Sequence, residues 1–171
     1  PAKLDIGKLT YEYQLEGGKY SNATAFIVRK LKDAGKNSDI QPKDVVLYGF
    51  GRIGRLVARE LMARTGKGTQ LRLRAIVIRG ESDEITLEKR AALLRNDSVH
   101  GDFSGTVSVD LKNKALIING TTVHIISANQ PEDIDYTRYH IKNALVIDNT
   151  GAFRDKEALN RHIKSKGVDK V

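Results

Sequence analysis

Apolar and polar residues alternate with two different periods along this chain. Val45-Val46-Leu47-Tyr48 is an unbroken apolar run, the pattern of a strand covered on both faces. A glycine-rich turn follows, and then Ile53, Leu56, Val57 and Leu61 recur at helical spacing, fading near Thr65-Gly66. The alternation repeats. Leu73–Ile78 reads as a second strand, and a second helix runs from near Ile85 to Leu94 with Leu87, Ala91 and Leu94 inward. Three short β signals come next, at Thr106–Val109, Ala115–Ile118 and Thr122–Ile126. Asn113 and the Asn119-Gly120 pair mark hairpin turns between them. Pro131–Tyr139 reads as a short helix, Ala144–Asp148 as a buried parallel strand and Asp155–Lys164 as the last helix. Asp169-Lys170-Val171 reads as the start of another strand, so the chain is expected to be part of something longer. Together these predict an α/β fold: a Rossmann-type, doubly wound, mostly parallel sheet with a short antiparallel β excursion.

Residues 1–41 read as an N-terminal extension to a domain spanning 42–171. Leu9, Tyr11, Tyr13 and Leu15 alternate with polar residues, which predicts a short half-buried strand. Ser21 is a candidate cap for a helix carrying Ala23, Phe26, Ile27, Leu31 and Ala34, with Gly35 as its stop. Lys36 to Pro42 reads as a linker.

The chemistry concentrates at Gly49-Phe50-Gly51-Arg52-Ile53-Gly54. A glycine turn between a strand and a helix suits the pyrophosphate of a dinucleotide. Gly49 permits the tight turn, Gly51 lets phosphate oxygens approach the backbone, and Gly54 lets the helix pack closely. The helix N-terminus then presents its N–H groups and positive dipole end to the anion. A glycine turn with no ligand role is the competing interpretation.

At the end of the second strand this fold usually carries a carboxylate for the adenosine ribose. Here the residue is Arg79, in Ile78-Arg79-Gly80. A guanidinium would grip a 2′-phosphate that a carboxylate would repel, so NADP or dual use is favoured over strict NAD. Asn149-Thr150-Gly151 follows the later apolar strand, where ligands of such sheets gather. Asp97-Ser98-Val99-His100 is read as a hydrogen-bonded loop, because triad members seldom lie so close in sequence. His124 sits in a β signal, His140 and His162 look isolated, and no metal site is expected.

Composition narrows the class. The chain has 171 residues, 40% of them apolar, enough for a real core. It has no cysteine, which excludes disulfides and thiolate metal sites within it. No apolar run has the length of a membrane span, and the first residues carry no signal-peptide core. The formal charge of +8 is spread along the chain, so a solvated surface is the preferred reading over nucleic-acid binding. A cytoplasmic location fits all of this.

The segments in order resemble the cofactor domain of the glyceraldehyde-3-phosphate dehydrogenase family. The matching pieces are Gly49–Arg55, Asn96–Gly105, Asn119-Gly120, Pro131–Ile134 and Asn149–Phe153. The resemblance implies NAD(P)-dependent, phosphorylating oxidation of a sugar-phosphate aldehyde with inorganic phosphate. It also implies a homotetramer and a cytoplasmic, glycolytic or gluconeogenic role. It places Arg52 and Ile53 on the pyrophosphate through their backbone, Arg79 where the family has its ribose-binding Asp, and Asn129 where many members have an Arg near the adenine. Asn149, Thr150 and Gly151 take the place of the family's Ser-Thr-Gly. The resemblance also implies a cysteine nucleophile, whose thiolate attacks the aldehyde. This chain has none, so it is expected to bind cofactor while catalysis belongs to a longer parent. The alternative is a non-enzymatic dinucleotide-sensing module.

Overall fold

The computed structural model describes residues 6–32, 42–64 and 71–171. The chain divides into two compact units, one of residues 1–41 with 65–70 and one of residues 42–64 with 71–171.

In the first unit, helix α1 (Ile6–Glu16) leads through a single 3₁₀ turn to helix α2 (Ala23–Leu31). The strand expected around Leu9–Leu15 is therefore a helix. A strand would put all four alternating residues on one face. The helix splits them, leaving Tyr11 and Leu15 exposed and Leu9 and Tyr13 half-buried one turn apart. Tyr13 packs on Phe26 of α2 at a ring separation of 5.3 Å, and Tyr20 meets the same ring at 5.2 Å. Glu12 and Glu16, also one turn apart, converge on Lys30 at 3.0 and 3.5 Å. These contacts across the pair of helices override the local alternation. The cap of α2 is Asn22 rather than Ser21: its side chain accepts the Ala25 N–H at 2.9 Å. The stop at Gly35 and most of the linker lie outside the described residues, as do Thr65-Gly66 and the loop after them.

The second unit is built on a seven-stranded sheet. Its strands are β1 (Lys43–Tyr48), β2 (Leu71–Ile78), β5 (Val107–Asp110), β6 (Ala115–Ile118), β7 (Thr121–Ser127), β8 (Ala144–Asp148) and β9 (Val168–Lys170). They lie in the order β5-β6-β7-β2-β1-β8-β9. The run from β7 to β9 is parallel, and β5, β6 and β7 pair antiparallel. The expected Rossmann-type sheet with its antiparallel excursion is what forms. Two-residue strands β3 (Asn96–Asp97) and β4 (Gly101–Asp102) make a separate small ladder.

One face of the sheet packs on α3 (Arg52–Arg64) and α4 (Glu84–Arg95). Val45, Leu47, Leu73, Ile76 and Ile78 meet Ala58, Met62, Leu87 and Leu94 there. The other face carries Val46, Tyr48, Ala75, Val77 and Val146 against Ile134, Tyr136 and Ile141. The register slips between Val45 and Val46, whose partners are Leu73 and Ala75. This bulge at Arg74 sends Leu73 and Ile76 to the same face.

The β6–β7 turn at Asn119-Gly120 has φ of 48° and 76°, the left-handed pair that suits a two-residue hairpin. Pro131–Tyr139 is not one helix but two 3₁₀ turns, Pro131–Asp133 and Tyr136–Tyr139. Ile134 and Tyr136 are both buried against the sheet, and extended backbone at Ile134 and Asp135 lets both reach it. Asp135 then caps the second turn by accepting the Thr137 N–H at 3.1 Å. Helix α5 (Lys156–Ile163) starts at Asp155, which accepts the Ala158 N–H at 2.8 Å.

Candidate functional site

Strand order reverses at β1: β2 lies on one side of it and β8 on the other. A crevice opens beyond the carboxyl ends of parallel strands at such a point. Here it is a cleft of about 300 Å³ lined by Tyr48 at the end of β1, Gly49, Phe50 and Gly51 after it, Val77 and Ile78 of β2, Arg79 just beyond that strand, and Arg90 of α4. Ala128, Thr150 and Ala152 complete it.

The glycine turn is built by close backbone approach. Gly49 has φ of 98°, its N–H donates to the Val77 carbonyl at 2.9 Å, and a Cβ on it would meet Thr150 Cγ2 at 2.9 Å. A Cβ on Gly54 would stand 2.4 Å from the Gly49 carbonyl oxygen. A Cβ on Gly51 would meet nothing within 4 Å, because Gly51 faces the open cleft. The first bond of α3 runs from the Arg55 N–H to the Gly51 carbonyl at 3.0 Å. The amides of Arg52, Ile53 and Gly54 precede it and have no helical acceptor. Both Arg52 and Ile53 are exposed at the start of α3. A turn of this shape, with an open glycine beside helix amides, has the form a diphosphate requires.

The second turn is tied to the first. The Asn149 N–H donates to the Tyr48 carbonyl at 2.8 Å, and its side-chain amide donates to the Ile147 carbonyl. Thr150 donates its N–H and hydroxyl to Asp148 Oδ1 at 2.8 and 2.7 Å, and its hydroxyl accepts the Ala152 N–H. Gly151 has φ of 69°. Of these three residues only Thr150 lines the cleft; Asn149 and Gly151 flank it. Asn129 lies apart, exposed on a neighbouring depression with Asp133 and Tyr139.

Sequence reasoning missed three contributors. Arg90 reaches the cleft from α4, where helical spacing alone gave no reason to single it out. Tyr48 forms part of the wall, and burial pushes its phenol pKa up, with Asp148 adding to the shift and Arg79 opposing it. His162 is not isolated. Its Nε2 lies 2.9 Å from Asp148 Oδ2, and its ring meets Tyr48 and Phe153 at 4.6 and 5.2 Å. Asp148 thus joins the Thr150 turn to α5.

Asp97 is not among the residues that line the cleft, and it is hydrogen-bonded within its own segment, as the loop reading expects. It accepts the N–H groups of Val99 and His100 at 3.0 Å each and meets His100 Nδ1 at 3.0 Å. The His100 side chain first, then those N–H groups, hold its carboxyl far below the usual carboxylate range. Arg55 stands 3.5 Å behind it. Among the described residues no three His, Asp or Glu side chains are arranged to hold a metal ion, and no helix is long and apolar enough to cross a membrane.

Residues 43–156 match the family described as glyceraldehyde 3-phosphate dehydrogenase, NAD binding domain. A glyceraldehyde-3-phosphate dehydrogenase-like protein of Pseudomonas aeruginosa (strain UCBPP-PA14) is 51% identical over 99% of this chain and 37% of its own length. A glyceraldehyde-3-phosphate dehydrogenase of Bacteroides fragilis (strain YCH46) is 34% identical over 74% of this chain and 34% of its own. A cytosolic one of Leishmania mexicana is 34% identical over 71% and 33%. The chain spans about a third of the length of the curated relatives it matches.

Proposed function

The chain belongs to the glyceraldehyde-3-phosphate dehydrogenase family through its NAD-binding domain, and we propose that the cleft beyond β1 holds the dinucleotide with its diphosphate over Gly51. The observation that carries this reading is the Gly49–Gly54 contact, which leaves Gly51 open beside the first amides of α3. In this reading the backbone of Phe50, Arg52 and Ile53 meets the diphosphate, Thr150 and its neighbours Asn149 and Gly151 border the nicotinamide half, and Asn129 borders the adenine. We assign residues 42–171 to this domain and residues 1–41 to an appended element. The Pseudomonas relative matches 99% of this chain, so the similarity extends into that element and supports treating it as part of the parent design.

When bound, the nicotinamide supplies a hydride acceptor. For the full-length protein we propose phosphorylating oxidation of a sugar-phosphate aldehyde in a cytoplasmic homotetramer, in glycolysis or gluconeogenesis. This chain contains no cysteine, so a thiol nucleophile has to come from residues outside it, and the chain by itself is expected to bind cofactor without turnover. Arg79, at the end of β2 in place of a carboxylate, favours NADP or dual use.

Fluorescence titration of the chain with NADH and NADPH tests this. Saturable binding of either supports the reading, and binding of neither overturns it. An Arg79→Asp chain should lose NADPH selectively. Full-length protein that binds cofactor but shows no aldehyde-dependent turnover would point to a sensing module instead.

A further inference from the structure

The cleft is lined by two guanidinium groups, Arg79 and Arg90, and by no carboxylate. The nearest carboxylate on β8, Asp148, is engaged by Thr150 and His162. Arg79 is exposed at the tip of β2, so its charge stands at the mouth. Arg90 is half-buried on α4, and its Nη1 donates to the Phe50 carbonyl at 3.3 Å. That bond is long, and the Nε of Arg90 is buried with no hydrogen-bond partner. A guanidinium presents five donors in a fixed fork. One weak bond to a carbonyl leaves most of that fork unused, at a wall where burying an unpaired donor is costly. The Phe50 carbonyl also fixes where the group sits: between the glycine turn and the end of β2, the stretch along which the adenosine ribose runs in this fold.

We propose that Arg90 is a specificity-determining residue that acts with Arg79 as a two-sided clamp on a phosphate monoester at the ribose 2′ position. The proposal rests on the cofactor reading above and extends it. Arg79 closes on the phosphate from the strand side. Arg90 closes from the helix side, using the fork atoms not held by Phe50. Two guanidinium groups match the two negative charges of a phosphate monoester, whereas a ribose diol leaves both uncompensated.

The test uses the whole chain and four probes, 5′-AMP, 2′,5′-ADP, NADH and NADPH, with Kd measured by calorimetry for wild type, Arg90→Met and Arg90→Lys. Wild type should bind 2′,5′-ADP at least about tenfold more tightly than 5′-AMP. Arg90→Met should lose that preference, its affinity for 2′,5′-ADP falling at least about fivefold more than its affinity for 5′-AMP. Arg90→Lys keeps the charge without the fork and should lose only part of it. If Arg90→Met does not fold, Arg90→Lys decides on the same readout. An equal loss for both nucleotides, or no loss for either, makes Arg90 a prop for Phe50 and overturns the proposal. Wild type that binds NADH and 5′-AMP but gains nothing from the 2′-phosphate overturns it and leaves the cofactor reading standing. Wild type that binds none of the four removes both.

Discussion

The α-carbon of Gly54 faces the carbonyl oxygen of Gly49 so closely that an added Cβ would stand 2.4 Å away. Neither atom can yield easily, because one is in the first turn of α3 and the other in the turn that leaves β1. Helix and strand are thus joined backbone to backbone at the mouth of the cleft. This contact separates the two reasons for glycine in the motif, one structural and one for ligand access.

Gly54→Ala is predicted to displace α3 and cost about 2 kcal/mol, an overpacking loss only partly offset by better helix propensity. Gly51→Ala meets open space, so its melting temperature should stay close to wild type. On the proposed cofactor pose, its NADH affinity should nevertheless fall at least about tenfold, because the new methyl group would stand in the path of the diphosphate. Thermal melts and NADH titrations on the pair check this. Equal destabilisation by both changes would sink the distinction.

His162→Ala should destabilise the domain by about 3 kcal/mol. The ring is almost wholly buried against Tyr48 and Phe153, and its loss leaves Asp148 Oδ2 without its partner. The effect should reach the cleft as well, since the same carboxylate holds Thr150. Urea denaturation gives the first quantity and cofactor affinity the second. A variant as stable as wild type would show that the contact contributes little.

Asp97 makes stability depend on acid. Its carboxyl titrates far below the ordinary range in the fold, mainly because of the His100 side chain and then the Val99 and His100 amides. Folding therefore gains from its ionised form at every pH above the unfolded value of about 3.9. That gain is lost progressively as pH falls from there toward the folded value. Asp97→Asn should be less stable than wild type at pH 7, and the gap should narrow below about pH 4. Parallel denaturation curves at several pH values read this out, and a gap that stays constant would refute it.

β1, the second half of β2 and β8 were legible because each is a short, largely apolar run. Ala144–Asp148 has the bounds expected of it, and the hairpin at Asn119-Gly120 follows from its turn residues. The glycine motif was legible for the same local reason. What escaped was decided by contacts distant in sequence. Leu9–Leu15 alternates like a strand, yet Phe26 and Lys30 select the helix. Pro131–Tyr139 breaks because Ile134 and Tyr136 both reach the sheet. His162 looked solitary since Asp148 meets it only when α5 docks, and Arg90 enters the cleft only because α4 packs beside the glycine turn.

The order of the strands also bears on how the domain assembles. β5, β6 and β7 pair with their immediate neighbours in sequence, so little chain entropy opposes them. β1 gains its second flank only when β8, from the far end of the domain, arrives. Until it does, the crevice has only one wall. Nascent chains emerging from a ribosome would therefore gain their meander early and their nucleotide pocket last.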